Sequence, residues 1–325
     1  RIAGGMAMSS RGEFGLIDFI KEHFPVPDNF EGIGDDCAIL PPQQEEMLFS
    51  TDLLMEGVHF LRNESSPEDV GWKAAAVNLS DIAAMGGEAI ATFLSIALPK
   101  DAQGEWAERF IEGYAQISKL YGVPLLGGDT TSSLRDIAAN VGVMGKSPKG
   151  TSIKRSGAAE GDTIFVTGPL GDSAGGLQAI LDGEERDQDI KVLIQRHKRP
   201  SPRMEEGKQL RETGMVNSMM DISDGIASDL EHILELSGKG ATVELERVPV
   251  SDELRRAGEK YGWNVPAMAV GGGEDFELLF TAPAEIAEKL GFKVYPIGKI
   301  TGGKGITWTK EGKEVEWEIK GFKHF

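Results

Sequence analysis

At 325 residues the chain exceeds one core, with a soft prior of two domains, and it has no run of 18 or more apolar residues able to span a bilayer. A formal charge of −18 argues against nonspecific nucleic-acid binding, which needs basic surface to neutralise phosphates. The single cysteine, Cys37, forbids an intrachain disulfide, argues against a cysteine-based zinc site and fits a reducing cytoplasm.

No charged-then-apolar signal segment opens the sequence. Residues 1–10, starting Arg1-Ile2-Ala3-Gly4-Gly5-Met6, read as an expression remnant and disordered start ahead of a native start near Met6 or Met8. Strand and helix signals then alternate. Met47-Leu48-Phe49 is a short strand run ending in Ser50-Thr51-Asp52. Ser66-Pro67 predicts an N-cap followed by proline at the first helical position, and a helix over about 67–85 that stops at Gly86-Gly87. On that helix Trp72, Ala75, Ala76, Leu79, Ile82 and Ala83 form a packing stripe, while Asn78 and Asp81 share another face. A strand is predicted over 91–98, a helix over about 104–121, and a strand from Val123 running into Gly127-Gly128-Asp129. Another strand over 137–144 closes a first domain, 11–150, bounded by the Gly-, Ser-, Pro- and Lys-rich stretch 146–161. The second domain, 151–325, opens with a strand over 162–167 and a glycine-rich turn, 168–176, leading into a helix capped by Asp172 or Ser173. A basic stretch, 191–203, precedes a helix toward Asp221, and a further helix begins at Ser223 or Asp224 and ends near Gly238. Strands over 241–250, 276–282, 305–309 and 314–319 follow, with turns at Gly298 and Gly302-Gly303. The pattern is mixed α/β (α+β) in two lobes.

Short acidic clusters beside glycine carry the chemistry: Gly32-Ile33-Gly34-Asp35-Asp36, Ser50-Thr51-Asp52, Asn78-Leu79-Ser80-Asp81, Gly127-Gly128-Asp129-Thr130 and Asp221-Ile222-Ser223-Asp224-Gly225. Carboxylates, hydroxyls and close-approaching backbone suit hard cations such as Mg²⁺, which prefer oxygen ligands and bridge to phosphates. Each cluster also has an ordinary explanation: an Asx turn at Asp35-Asp36, a strand end at Asp52, an N-cap at Ser223-Asp224. Asp81 resists one, because aspartate is a poor helix former and costly to bury unpaired. Asp129 after two glycines looks like a backbone nest for an anion joined to a metal carboxylate. Gly145-Lys146-Ser147 is not a P-loop end, since Asn140 stands where the first glycine is required.

The order of motifs decides. Gly12-Glu13-Phe14-Gly15, Gly57-Val58-His59-Phe60, Arg155-Ser156-Gly157, Gly171-Asp172-Ser173, Arg199-Pro200-Ser201-Pro202-Arg203, Gly272-Gly273-Glu274-Asp275-Phe276-Glu277-Leu278 and Lys320-Gly321-Phe322 join the acidic clusters. Together they closely resemble the thiamine-monophosphate kinase family of the aminoimidazole ribonucleotide synthetase-like superfamily, over nearly the whole chain after residue 11. The resemblance implies an ATP-dependent enzyme that phosphorylates thiamine monophosphate to thiamine diphosphate. It implies two αβ domains, the N-terminal one binding metal and ATP and forming a β-barrel across a homodimer interface. It implies that Asp36, Ser50, Thr51, Asp52, Asp81, Asp129, Asp221 and Asp224 hold several Mg²⁺ ions. Gly128, Asp129, Arg155 and Ser223 would meet ATP, with Arg155 stabilising the γ-phosphate, while His59, Glu274 and Phe322 contact the acceptor. Phe322 replaces the tyrosine usual there, keeping a stacking face and losing a hydroxyl. Direct in-line transfer needs no strong base, because a phosphate monoester is largely ionised at pH 7. The rival readings are another ATP-dependent synthetase of the superfamily, or a nonenzymatic nucleotide- or metal-binding protein.

Overall fold

The computed structural model describes residues 12–33 and 37–316. These divide into two compact units. One runs to Leu79 and resumes over Ala89–Lys146; the other comprises Ser80–Glu88 and everything described from Ser147 onward.

The first unit starts with helix α1 (Gly12–His23) and strand β1 (Glu46–Met55). Helix α2 (Pro67–Ala84) has the predicted start: the Ser66 hydroxyl accepts a hydrogen bond from Asp69 N at 3.1 Å, with Pro67 first in the helix. The one-sided stripe expected of it is not found. Val70, Lys73, Asn78 and Leu79 are all buried, so the helix is enclosed on several faces. Strand β2 (Glu88–Leu98), helix α3 (Glu105–Tyr121) and strand β3 (Leu125–Ser132) form a βαβ unit whose strands pair in parallel, and β4 (Ala138–Ser147) completes an open sheet of order β1-β4-β2-β3. Glycine lets α2 and α3 touch backbone to backbone: a Cβ on Gly71 would overlap the Phe110 carbonyl, and one on Gly113 the Glu68 carbonyl. Gly127-Gly128-Asp129 lies inside β3, not in the predicted nest. Gly128, at φ 150°, faces Leu94 O of β2 so closely that a side chain could not fit.

In the second unit β5 (Thr163–Val166), α4 (Asp172–Asp182), α5 (Gln188–Lys198), α6 (Met204–Glu212), β6 (Ser218–Asp221), α7 (Ile226–Ser237) and β7 (Gly240–Glu244) come first. Helices α8 (Asp252–Tyr261) and α9 (Val265–Gly271) and strands β8 (Leu278–Ala282), β9 (Tyr295–Thr301), β10 (Gly305–Lys310) and β11 (Lys313–Glu314) follow. The strands make one mixed sheet of order β11-β10-β7-β9-β5-β8-β6. Both faces are covered. Ile164, Val166 and Leu279 pack with Ile226, Leu230 and Ile233 of α7, whereas Phe165, Leu278 and Phe280 pack with Leu210 of α6 and with Ala83 and Ala84 at the end of α2. Period-2 alternation along β5 and β8 sorts the two sets. Helices α4, α5 and α8 share a further core built on Ile190, Leu193 and Leu254.

Three further expectations are corrected. Gly298 is not a turn but lies within β9, where a Cβ would overlap Thr242 O of β7. The strand predicted over 241–250 ends at Glu244, since a 3₁₀ turn, Leu245–Arg247, intervenes. Neither Asp172 nor Ser173 caps α4. Asp275, a hundred residues downstream, accepts from Gly171 N at 2.9 Å and Ser173 N at 3.2 Å and supplies the cap in trans.

Candidate active site

In the second unit the end of β6 meets the end of α2. Ser80 donates its hydroxyl to Asp221 Oδ2 at 2.7 Å. Burial pushes Asp221 up to about 6, the negative charge of Asp81 pushes the same way, and the Ser80 bond and the Arg155 charge pull it back. Asp81, Asp221 and Arg155 are thus within electrostatic reach of one another, with Asp81 half-buried and Arg155 exposed.

Beyond Asp221 the chain turns through 222–225 before α7 begins. The sequence offers Ser223 or Asp224 as N-cap, but the cap residue is Gly225, with no side-chain cap. Instead Asp229, from within α7, accepts three successive backbone N–H groups on one oxygen: Ser223 at 3.0 Å, Asp224 at 3.1 Å and Gly225 at 3.1 Å. The side chains of Ser223 and Asp224 are left half-buried rather than spent on capping.

The segment 272–277 runs beside this turn. Glu274 N donates to Ser223 O at 2.8 Å, Phe276 N to Ile222 O at 2.9 Å, and Ile222 N to Glu277 O at 2.8 Å. A Cβ on Gly273 would overlap Ser223 O, so glycine sets the spacing of the two segments. Glu274 (φ 61°) and Phe276 (φ 51°) both occupy the left-handed region, a conformation costing on the order of 1 kcal/mol or more apiece that persists only under external constraint. The constraint is visible between them, at Asp275, and just after them, at Glu277. Asp275 caps α4, and Glu277 is clamped by Arg203 (Nε to Oε2, 2.7 Å; Nη2 to Oε1, 2.5 Å) and by the Thr167 hydroxyl at 2.6 Å. The Glu274 carboxylate lies 3.8 Å from His197 Nδ1, which is 2.8 Å from Ser173 Oγ.

A cleft of about 620 Å³ also opens in this unit, but none of the predicted site residues lines it. Two of its lining cations face acids of the same cleft, Arg196 with Asp172 at 2.6 Å and Arg203 with Glu277. Asp275 and Glu277 of segment 272–277 line the cleft, whereas Ser223, Asp224 and Glu274 do not.

In the first unit, alternation along β1 places Ser50 and Asp52 on one half-buried face and Thr51 on the other, exposed with Met47, Phe49 and Leu53. Any shared ligand role for Ser50, Thr51 and Asp52 therefore needs a backbone oxygen from Thr51. Gly128 and Asp129 are exposed on β3, with Asp129 Oδ1 accepting from Thr130 N at 2.9 Å. His59 Nδ1 accepts from Met55 N at 2.9 Å, which fixes the proton on Nε2 and presents that nitrogen as a donor. Asn78 Oδ1 and Thr130 Oγ1 are buried without a hydrogen-bond partner. Asp36 and Phe322 lie outside the described residues. Among the described residues no three His, Cys, Asp or Glu side chains gather as a metal cluster.

Comparison with known proteins now bears on this geometry. Residues 34–147 match the AIR synthase related protein N-terminal domain and residues 159–310 its C-terminal domain. The thiamine-monophosphate kinase of Aquifex aeolicus is 39% identical, covering 98% of this chain and 100% of that one, and the Escherichia coli enzyme is 40% identical, covering 97% and 98%. Among solved structures, AaThiL complexed with AMPPCP and TMP aligns with a TM-score of 0.79 at 37% identity, covering 99% of this chain and 100% of that one. The two-domain α+β fold expected from the motifs is the fold of these relatives, and the chain belongs to the thiamine-monophosphate kinase family.

Proposed function

We propose that this protein transfers the terminal phosphoryl group of ATP to the phosphate of thiamine monophosphate, yielding thiamine diphosphate. The observation that carries the reading is the backbone-paired arrangement of segments 221–225 and 272–277, acidic and glycine-rich, in a member of a family with a relative solved together with AMPPCP and TMP. In this reading residues 11–150 form the metal- and ATP-binding and dimerisation domain, residues 151–325 form the C-terminal domain, and the enzyme works in the cytoplasm.

The donor set fits magnesium. Asp81, Asp221, Asp224, Asp129, Asp52, Asp36 and Ser50, with Thr51 through its backbone, offer only oxygen. The raised Asp221 beside Asp81 marks a pair of carboxylates whose repulsion a divalent cation relieves. Bound Mg²⁺ would neutralise phosphate charge during transfer, and an ion that keeps waters and phosphate oxygens needs few protein carboxylates. The chain's own groups do the rest. Gly128, Asp129 and Ser223 bind the nucleotide, and the Arg155 guanidinium, exposed near Asp221, stabilises the γ-phosphate oxygens in its planar fork. His59, donating from Nε2, holds the acceptor with Glu274 and Phe322. The acceptor oxygen is already ionised at pH 7, so attack is direct and in line, without a phosphoenzyme. The exposed apolar face of edge strand β1, with Met47, Phe49 and Leu53, supports a homodimer joined there, its open four-stranded sheets completing a barrel across the interface.

The test is an ATP- and Mg²⁺-dependent assay that reads thiamine diphosphate by chromatography, with thiamine as control acceptor. Product from the monophosphate alone is expected; no product from a folded protein that binds ATP would sink the assignment.

A further inference from the structure

Asp229 belongs to none of the sequence motifs and to none of the roles above, yet it is 1% exposed and its side-chain oxygen Oδ2 takes three N–H donors in succession. These donors precede α7, so no carbonyl within that helix can satisfy them. The helix backbone reinforces the arrangement, since Asp229 N donates to Gly225 O at 2.8 Å. One residue thereby grips the turn 223–225 through both its side chain and its main chain. The carbonyl of Ser223 faces the other way and receives Glu274 N at 2.8 Å. Glu274 sits at φ 61°, a conformation it does not hold unaided.

We infer that Asp229 is a positioning residue that fixes, through one carboxylate oxygen, the turn presenting Ser223 and Asp224 and, through the Ser223 carbonyl, the backbone of Glu274. The inference rests on the functional reading above. It makes one buried carboxylate responsible for the alignment of both substrates, the nucleotide at Ser223 and the acceptor at Glu274. Asp229 is not itself a metal ligand in this account, because its Oδ2 is already filled by three donors. Only an acceptor oxygen at that point is required, not a charge. Asparagine can supply it from its amide oxygen, alanine cannot, and glutamate displaces it by one methylene.

The experiment is isothermal titration of wild type, Asp229→Asn and Asp229→Ala with Mg²⁺-AMPPCP and, separately, with thiamine monophosphate, alongside KM for both substrates. Asp229→Ala is expected to weaken both ligands at least about tenfold, and Asp229→Asn to stay within about threefold of wild type. If Asp229→Ala does not fold, Asp229→Glu takes its place with the same expected loss. A merely structural carboxylate would lower the melting temperature of these variants and leave both dissociation constants unchanged, which overturns the inference. Loss in Asp229→Asn equal to that in Asp229→Ala overturns it too, since charge or metal ligation would then be the role. Wild type that binds neither ligand overturns the functional reading and this inference with it. Wild type that binds both, with an equally competent Asp229→Ala, overturns the inference alone.

Discussion

Replacing Arg203 by methionine tests how the segment 272–277 is held. The Glu277 side chain is 7% exposed and accepts three hydrogen bonds, two from Arg203 and one from Thr167, whose own oxygen accepts Leu278 N at 2.8 Å. Arg203→Met removes two of the three and the cation that faces both carboxylate oxygens. Breaking a buried pair from one side costs about 3–5 kcal/mol, because the remaining charge stays desolvated. Arg203 is 31% exposed, so water can replace part of its solvation, and the low end, about 3 kcal/mol, is the working value. Adding Glu277→Gln to Arg203→Met removes the stranded charge while keeping an acceptor for Thr167, and should recover most of the loss. Urea unfolding of wild type, both single variants and the double variant gives the coupling directly. Because Glu277 lies three residues from Glu274, Arg203→Met should also raise KM for thiamine monophosphate more than for ATP. The reasoning is refuted if Arg203→Met costs less than about 1 kcal/mol, or if the double variant is no more stable than that single one.

The raised Asp221 makes a signed pH prediction for the metal-free protein. A folded value of about 6 against an ordinary 3.8 means that the folded state holds the proton more tightly; stability is fully present below about pH 4 and lost as pH rises through about 6. The shift corresponds to roughly 3 kcal/mol, so without Mg²⁺ the melting temperature of Asp221→Asn should fall less than that of wild type between pH 4 and 7; parallel curves would contradict this. Phe49→Ser combined with Leu53→Ser should convert a dimer to monomer in sedimentation equilibrium, whereas a wild type that sediments as monomer removes the proposed β1 interface.

Much of this architecture was legible in the sequence where local rules decide it. Ser66-Pro67 begins α2 because a hydroxyl cap and a proline serve the first turn without any partner elsewhere. What the sequence could not reveal depends on contacts far apart along the chain. The glycines of Gly127-Gly128 look like a turn, but they serve close strand approach, and only the pairing of β3 with β2 distinguishes the two. Helix α8 was missed although Ser251 caps it at Leu254 N, because no apolar run announces it; four of its first seven residues, Asp252, Glu253, Arg255 and Arg256, are charged. The cap of α4 illustrates the limit best, since the capping carboxylate belongs to Asp275, which no window around residue 171 contains.

The same limit explains why the acidic motifs were harder to read individually than jointly. Asp221, Asp224 and Glu274 stand in the same two segments as Asp275 and Glu277, and residue type alone cannot tell a ligand from an anchor. The fold separates them by what each carboxylate already holds. Asp275 is consumed by two helix N–H groups, Glu277 by Arg203 and Thr167, and Asp229 by three N–H groups of the turn. Asp221 is buried beside a second carboxylate, Asp81, and burial and that charge outweigh the Ser80 hydroxyl and the Arg155 charge, an arrangement that a cation would relieve. Anchored carboxylates therefore fix the backbone that carries Asp221 and Asp224. The left-handed Glu274 and Phe276 are the strain that this anchoring sustains. If that division is right, Asp229→Asn, which keeps the acceptor for the three N–H groups, should spare chemistry, while Asp221→Asn and Asp224→Asn should lose chemistry and keep stability.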